Sequence, residues 1–502
     1  MNYKKIYLCL FTLLTFCSQA LAQSPESGNK QKTVKEIVGL VNTYCGSCHT
    51  PPSPQLLPKR SWPFVIKAMA ELAEINMGQA YISQEHIRDI TAYYYGSSPK
   101  ELPKLPYFSG DQSKVDFVEK NVAKNSKLPM IINVKPVNLF KADNSEFLLC
   151  DNETNQIILL SQADEKWTEQ VLADIKVPSH TEVVDYDKDG DQDIIVGSLG
   201  LFFPPQGARE GKVTLLRQVK PGVFQKEVLV ENLGRVTDAQ PIDIDGDNDV
   251  DIAISIFGAD VNGELVLLEN KGNGKHVQHS LMKATGVLNI TPTDLNGDGL
   301  IDFVSLVSQQ HELVAGLINK GDGSFKKIKI FQANHPLVGF TGMKLVDLDG
   351  DNDIDMLLTN GDANDLQEDP KPYHGVQWLE NTGNLTYKYH DVGRFYGAVS
   401  SAAGDLDADG DIDIVASSWN NYWDDPKRQS LIWFENDGKQ NFTRHNISST
   451  PKSITSLDLA DVDNDGKLDI VTGAFRIDLL KNMNSEEDQK RIGKSEDKKR
   501  VV

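Results

Sequence analysis

Asp185-Tyr186-Asp187-Lys188-Asp189-Gly190-Asp191-Gln192-Asp193-Ile194 is the stretch from which the fold is read. Aspartates stand at positions 1, 3, 5, 7 and 9, a glycine at position 6, and the apolar, β-branched run Ile194-Ile195-Val196 follows at once. The pattern restarts at Asp243, Asp294, Asp347, Asp405 and Asp461, at intervals of 58, 51, 53, 58 and 56 residues. A period of that length signals one supersecondary unit per repeat, stacked into a propeller or an array.

The pattern also carries a chemistry. Calcium takes several hard oxygen ligands, and carboxylates at positions 1, 3, 5 and 9 of a tight loop supply them. Those positions hold Asp185, Asp187, Asp189 and Asp193, then Asp243, Asp245, Asp247 and Asp251, then Asp294, Asn296, Asp298 and Asp302. The later copies hold Asp347, Asp349, Asp351 and Asp355, then Asp405, Asp407, Asp409 and Asp413, then Asp461, Asp463, Asp465 and Asp469. Gly190, Gly299, Gly410 and Gly466 fit a turn at position 6, and Asn248 and Asn352 also tolerate left-handed backbone. An EF-hand would need flanking helices and a late Glu; here each loop runs into a strand. One such loop could be a plain hydrated turn, but six copies point to metal, with up to six calcium ions expected. The loops hold 27 Asp, which accounts for much of the net charge of -21. So acidic a chain argues against a nucleic-acid partner.

A degenerate unit precedes the six. Val134-Lys135-Pro136-Val137-Asn138 takes the place of a strand and first ligand, 47 residues before Asp185. Leu148-Leu149-Cys150 and Ile157-Ile158-Leu159-Leu160 read as its next strands. Seven units predict a seven-bladed propeller of four-stranded sheets, with six or eight blades as the alternatives. Cys150 reads as a small buried hydrophobe.

Upstream, Cys45-Gly46-Ser47-Cys48-His49 has the CxxCH form of a c-type haem attachment site. Two thiols at this spacing reach the two vinyl groups of a porphyrin, and the adjacent His faces the iron. A thioredoxin-like CxxC or half a zinc site would need a βαβ background or further ligands nearby. Val34, Ile37, Val38, Val41 and Tyr44 predict a helix into the motif, and Pro51, Pro52 and Pro54 an extended loop after it. A later helix is predicted from Ser83 to Gly96. Residues 33–99 are therefore expected to form a small all-α cytochrome c domain holding one covalent haem c. Met69 and Met77 are both open as the sixth iron ligand, Met77 in a loop ahead of Ser83.

The ends and joints are read from composition. Lys4 and Lys5, the short apolar run Ile6 to Phe16 and Ala20-Leu21-Ala22 predict a cleaved signal peptide over 1–22, hence an exported or periplasmic protein without stable membrane insertion. Residues 100–129 read as a linker with a short helix from Ser113 to Val122. The propeller is expected over 130–483 and a disordered charged tail over 484–502.

Propeller loops meet at a channel mouth, where ligands bind. Candidate acid-base residues there are His311, Glu312, His335, Asp362 and His374, with Trp419, Tyr422 and Trp423 as an aromatic surface and His180 and Arg235 in the channel. Each of these also has a plain reading as a residue that satisfies its own loop. No GxSxG, HExxH or dinucleotide fingerprint is present.

From about Pro136 to Leu480 the repeats resemble FG-GAP/VCBS-type repeats. The whole chain is similar to bacterial proteins joining a cytochrome c domain to a VCBS-type propeller. The segments that carry the likeness are CGSCHTPPSPQLLPKRSWPFVIKAM, RVTDAQPIDIDGDNDVDIAISIFG, SQQHELVAGLINKGDGSF, LVDLDGDNDIDMLLTNGD and KPYHGVQWLENTGN. The resemblance implies export, covalent haem, calcium in the blades and seven blades. Met69, seven residues after Trp62, matches that family's Trp-to-Met spacing and is favoured over Met77. The expected function is electron transfer to an unidentified redox partner, with the propeller as docking platform. A propeller-borne oxidoreductase or lyase acting on a small substrate such as a sugar, and a glycan-binding or adhesion module, are the alternatives.

Overall fold

The computed structural model describes residues 32–108, 115–140, 146–163, 166–259, 261–362, 370–476 and 498–501. The predicted signal peptide over 1–22, and the predicted tail as far as residue 497, lie outside them.

Each acidic loop joins the inner strand of a sheet to its second strand. The second strands Asp193–Ser198, Asp251–Ile256, Asp302–Val307, Asp355–Asn360 and Asp413–Ser418 are buried at every residue. That is why they read as continuous apolar runs rather than alternating ones: each is covered on both faces by neighbouring sheets. Third and fourth strands follow by antiparallel pairing, giving four-stranded blades. Blade 1 is Ile131–Val137, Glu146–Asp151, Gln156–Ala163 and Lys166–Asp174. Blade 2 is Pro178–Val184, Asp193–Ser198, Gly211–Lys220 and Val223–Leu233. Blade 3 is Val236–Ile242, Asp251–Ile256, Glu264–Asn270 and His276–Lys283, and blade 4 is Thr291–Thr293, Asp302–Val307, Leu313–Asn319 and Phe325–Gln332. Blade 5 is Phe340–Val346, Asp355–Asn360, Gly375–Asn381 and Tyr387–Arg394, and blade 6 is Ala398–Gly404, Asp413–Ser418, Leu431–Glu435 and Thr443–Ser448.

The core is a series of clusters between successive blades. One joins Ile195, Val213 and Leu215 of blade 2 to Ile252, Ile254 and Val266 of blade 3. Each such fully buried aliphatic contributes about 1.5–3 kcal/mol of transfer free energy.

The expectation of seven blades is corrected: six sheets have four strands. Among the described residues the sixth acidic loop leads to a two-stranded sheet, Ile454–Ala460 with Asp469–Ala474, which packs between the inner strands of blades 6 and 1. Beyond it the described chain makes an isolated bridge, Gly473 to Val501, and no further strand. The end of the predicted tail is thus packed: Val501 is fully buried, and its carbonyl accepts the Val122 N–H.

The expected small all-α cytochrome c domain is corrected as well. The helical part is three short helices, α1 (Val34–Tyr44), α2 (Trp62–Met77) and α3 (Gln84–Ser97). Thr33 caps α1 in a capping box with Glu36, and Ser83 caps α3. Their buried apolar core is small (Val41, Leu57, Trp62, Val65, Ile66, Ile90 and Tyr94), and Leu337 of the propeller packs against it. So small a core, completed by a propeller side chain, makes the helices an appendage of the propeller rather than a domain of their own. No helix among the described residues is long and apolar enough to cross a membrane.

The predicted linker helix is absent over residues 115–122. The segment is instead a strap on the propeller. The Leu105 N–H donates to Tyr396 Oη at 2.6 Å, and Val115 and Phe117 pack on the cluster around Trp433.

Candidate functional site

Two left-handed residues shape every acidic loop. At position 6 the φ angles are 94° at Gly190, 69° at Asn248, 84° at Gly299, 72° at Asn352, 99° at Gly410 and 85° at Gly466. Position 4 is left-handed too, at Lys188, Gly246, Gly297, Gly350, Ala408 and Asn464, a requirement the sequence reading missed. Lys188 and Ala408 accept the αL cost of a Cβ, so the loop geometry overrides local preference there. The position 6 N–H donates to the position 1 carboxylate, as Gly299 does to Asp294 at 2.8 Å and Asn352 to Asp347 at 3.0 Å.

This winding gathers the carboxylates. Single oxygens of three residues lie within 4.8 Å of one another in five loops: Asp185, Asp187 and Asp189; Asp243, Asp245 and Asp251; Asp347, Asp349 and Asp351; Asp405, Asp407 and Asp413; Asp461, Asp463 and Asp465. In the remaining loop Asn296 donates to Asp298 at 2.9 Å, and Asp294 accepts three backbone N–H groups. Asp247 and Asp409 lie in their loops but outside the close triplets. Asp185 Oδ1, Asp353 Oδ1, Asp407 Oδ1 and Asp411 Oδ1 are buried oxygens without a hydrogen-bond partner. Anionic oxygens crowded together and deprived of donors fit a divalent cation. Burial, with neighbouring carboxylates adding to it, pushes Asp411 and Asp355 up to about 6 and Asp413 up to about 7.

Position 9 does a second job. Asp193, Asp251, Asp302, Asp355 and Asp413 are buried, and each accepts two backbone N–H groups. For Asp413 these come from Leu406 at 3.1 Å and Asn436 at 2.8 Å, which tie the loop to the third strand. Among the described residues Asp469 accepts the Val462 N–H alone and is exposed, and no third strand covers its sheet. The degenerate unit keeps this staple as Glu146, which accepts the N–H groups of Leu139 and Phe140. Its position eight residues after Asn138 was the available signal. Glu380 and Glu435, also missed, stand on third strands close enough to Asp349 and Asp407 to raise them.

The CxxCH segment follows α1 directly as a 3-10 turn, Cys45–Ser47. Cys48 is exposed and Cys45 half-buried, its thiol pushed up by burial. His49 Nδ1 lies 3.1 Å from the Thr50 carbonyl. A carbonyl can only accept, so Nδ1 is the donor, and in the neutral ring this leaves the Nε2 lone pair, the tautomer an iron ligand requires. The proline loop is held by Tyr94 Oη donating to the Pro52 carbonyl at 2.9 Å and Trp62 Nε1 to that of Pro54 at 3.1 Å. Met69 and Met77 are 40% and 47% exposed. Met69 continues the α2 face of Trp62, Val65 and Ile66, whereas Met77 is the last residue of α2 and not in a loop.

The mouth residues divide. His311 is half-buried and electrostatically close to His49, so the helices sit beside that loop. Glu312 is buried and accepts the Phe340 N–H at 2.8 Å; burial raises it. His374 is fully buried, accepts the Gly397 N–H at Nδ1 and is held well below its usual range by burial. His335 Nδ1 accepts the Leu337 N–H, its ring meets Tyr373 edge-on, and burial pushes it down to about 4. Lys371 donates to the Asp362 carbonyl and lies near Glu312, His335 and His374, so these loops do meet. Glu312 and His374 are nonetheless enclosed by it. Of the expected aromatic surface, Trp419, Tyr422 and Trp423 are all half-buried: Trp419 donates to the Gly361 carbonyl, and Tyr422 meets Tyr396 edge-on beneath Lys104. His180 is on an inner strand, 2.7 Å from Glu182 and 3.2 Å from Asp238, and Arg235 stacks on Phe257. Cys150 is fully buried, its thiol pushed up by burial.

No curated protein matches the chain. The FG-GAP-like repeat matches residues 185–254, 243–305, 294–358, 347–416 and 419–472, more than half of the chain. The first four matched stretches each begin at a position 1 aspartate and end in the second strand of the following sheet. With the acidic loop and the strands around it repeating in register with these matches, the chain belongs to the FG-GAP-like repeat family.

Proposed function

We propose that this propeller is an exported electron-transfer protein carrying one covalently attached haem on its helical appendage, with calcium holding its acidic loops. The observation that carries the reading is the CxxCH segment, with the His49 tautomer that leaves Nε2 available. Cys45 and Cys48 would form the thioethers and His49 would ligate iron, with Met69 favoured on the other face and Met77 the alternative. Bound there, the group would accept and donate single electrons. The chain's own residues do the positioning: the Thr50 carbonyl orients His49, and Tyr94 and Trp62 hold the proline loop next to it. In the blades, calcium would be held by the position 1, 3 and 5 oxygens in the Asp185, Asp347 and Asp461 loops, and by positions 1, 3 and 9 in the Asp243 and Asp405 loops. The propeller then serves as a docking platform for a redox partner. Lys4, Lys5 and the apolar run after them support export, where haem attachment and millimolar calcium coincide.

The test is a pyridine haemochrome spectrum of protein exported together with cytochrome c maturation factors. One c-type haem per chain, absent in Cys45→Ala, is the expected result. Folded, exported protein without covalent haem would remove the electron-transfer reading.

A further inference from the structure

The repeats supply their own reference, and one boundary departs from it. At position 2 of the loops stand Leu139, Tyr186, Ile244, Leu295, Leu348, Leu406 and Val462, so Tyr186 alone is polar. Near the start of the outer strands stand Trp167, Phe224, His276, Phe325, Tyr387 and Phe442, so His276 alone is not a Phe, Tyr or Trp. These two positions meet between neighbouring blades. Leu139 shares an apolar cluster with Phe224, Ile244 with Phe325, Leu295 with Tyr387 and Leu348 with Phe442. Between blades 2 and 3 the apolar pair is replaced by a hydrogen bond of 2.8 Å between Tyr186 Oη and His276 Nε2.

A second pair departs at the same place. The third and fourth strands carry Glu269 with His279, Glu380 with His390 and Glu435 with His445, whereas blade 2 carries Arg217 with Glu227, the charge order reversed. Arg217 stacks on the Tyr186 ring and pairs with Asp187 as well as Glu227. All four departures line one cleft of about 190 Å³, together with Asp249 and Asn270. Residues that break a protein's own local rule, without a packing gain, concentrate where it has a task.

We infer that this cleft between blades 2 and 3 binds a neutral polyhydroxyl ligand of about one sugar ring. Its chemistry selects against the other classes. The cleft's two cations, Arg217 and Lys188, stand among three carboxylates, Asp187, Glu227 and Asp249, so the lining carries no net positive charge to select an anion. The nine side chains that line the cleft all present polar atoms, so an apolar ligand would strand them. Hydroxyls both donate and accept, and so match acceptors on Glu227 and Asp249 as well as donors on Arg217 and Asn270.

The experiment is calorimetric titration of the full, calcium-saturated chain with D-glucose, D-galactose, D-mannose and L-fucose, alongside D-glucosamine and D-glucuronate as charged controls. Tyr186→Leu with His276→Phe installs the residues the other boundaries use and should retain the fold; Glu227→Gln changes an exposed position as a second route. At least one neutral sugar should bind the wild type, weakened tenfold or more in the double variant and threefold or more in Glu227→Gln. No neutral sugar bound at tens of millimolar, a preference for either charged control, or binding untouched by both variants would overturn the assignment.

Discussion

Arg500 donates to the Asp151 carboxylate at 2.5 Å, and both side chains are buried. The contact ties the last described turn of the chain to the second strand of blade 1, and Arg500 reaches Glu169 of the same blade at 3.3 Å. Arg500→Met strands a buried carboxylate and should cost about 3–5 kcal/mol in urea denaturation. Adding Asp151→Asn should recover part of it. A loss below about 1 kcal/mol would mean that the pair is solvated.

The acidic loops hold two kinds of carboxylate. Asp355→Ala leaves the Leu348 and Asn381 N–H groups without their acceptor and should cost about 2–4 kcal/mol with or without calcium. Asp407→Ala should matter only with calcium, by reducing the rise in melting temperature that calcium gives over chelator. Equal effects of both variants in chelator would erase the distinction. If chelator leaves the wild-type melting curve unchanged and elemental analysis finds no calcium, the metal reading fails.

His335 is pushed down to about 4 from an ordinary 6.5, so the folded state favours its neutral form. The unfolded chain binds the proton more readily. This stability is therefore complete above pH 6.5 and is lost as pH falls toward 4. His311 and His374 shift in the same direction through burial. In saturating calcium, the melting temperature of His335→Gln should fall less steeply between pH 6.5 and 4 than that of the wild type. Parallel curves would show that His335 titrates normally.

For the iron, Met69→Ala should abolish a methionine-ligated haem spectrum and Met77→Ala should leave it intact. Both are partly exposed, so neither change should unfold the helices. The reverse result reassigns the ligand to Met77.

The acidic loops, the strands they lead into and the CxxCH segment were legible in the sequence because each is written in contiguous residues: oxygen ligands at odd positions, turn formers at even ones, β-branched runs next. Blade number was not, since a repeat motif announces a loop and a second strand but not whether two more strands follow. Asp469 carries the same letter as Asp413, yet among the described residues only Asp413 has a third strand to meet. The helices likewise read as a domain because their capping and periodicity are local, while their core is finished by Leu337 from the propeller. The carboxylate spacing of the loops and the spacing within CxxCH are properties of short stretches, and the sequence by itself determined them. Tertiary structure alone decided which residues meet across blades: Tyr186 with His276, Arg500 with Asp151, and His311 beside His49. Such pairs are set by the rotation of one sheet onto the next, which no local spacing encodes.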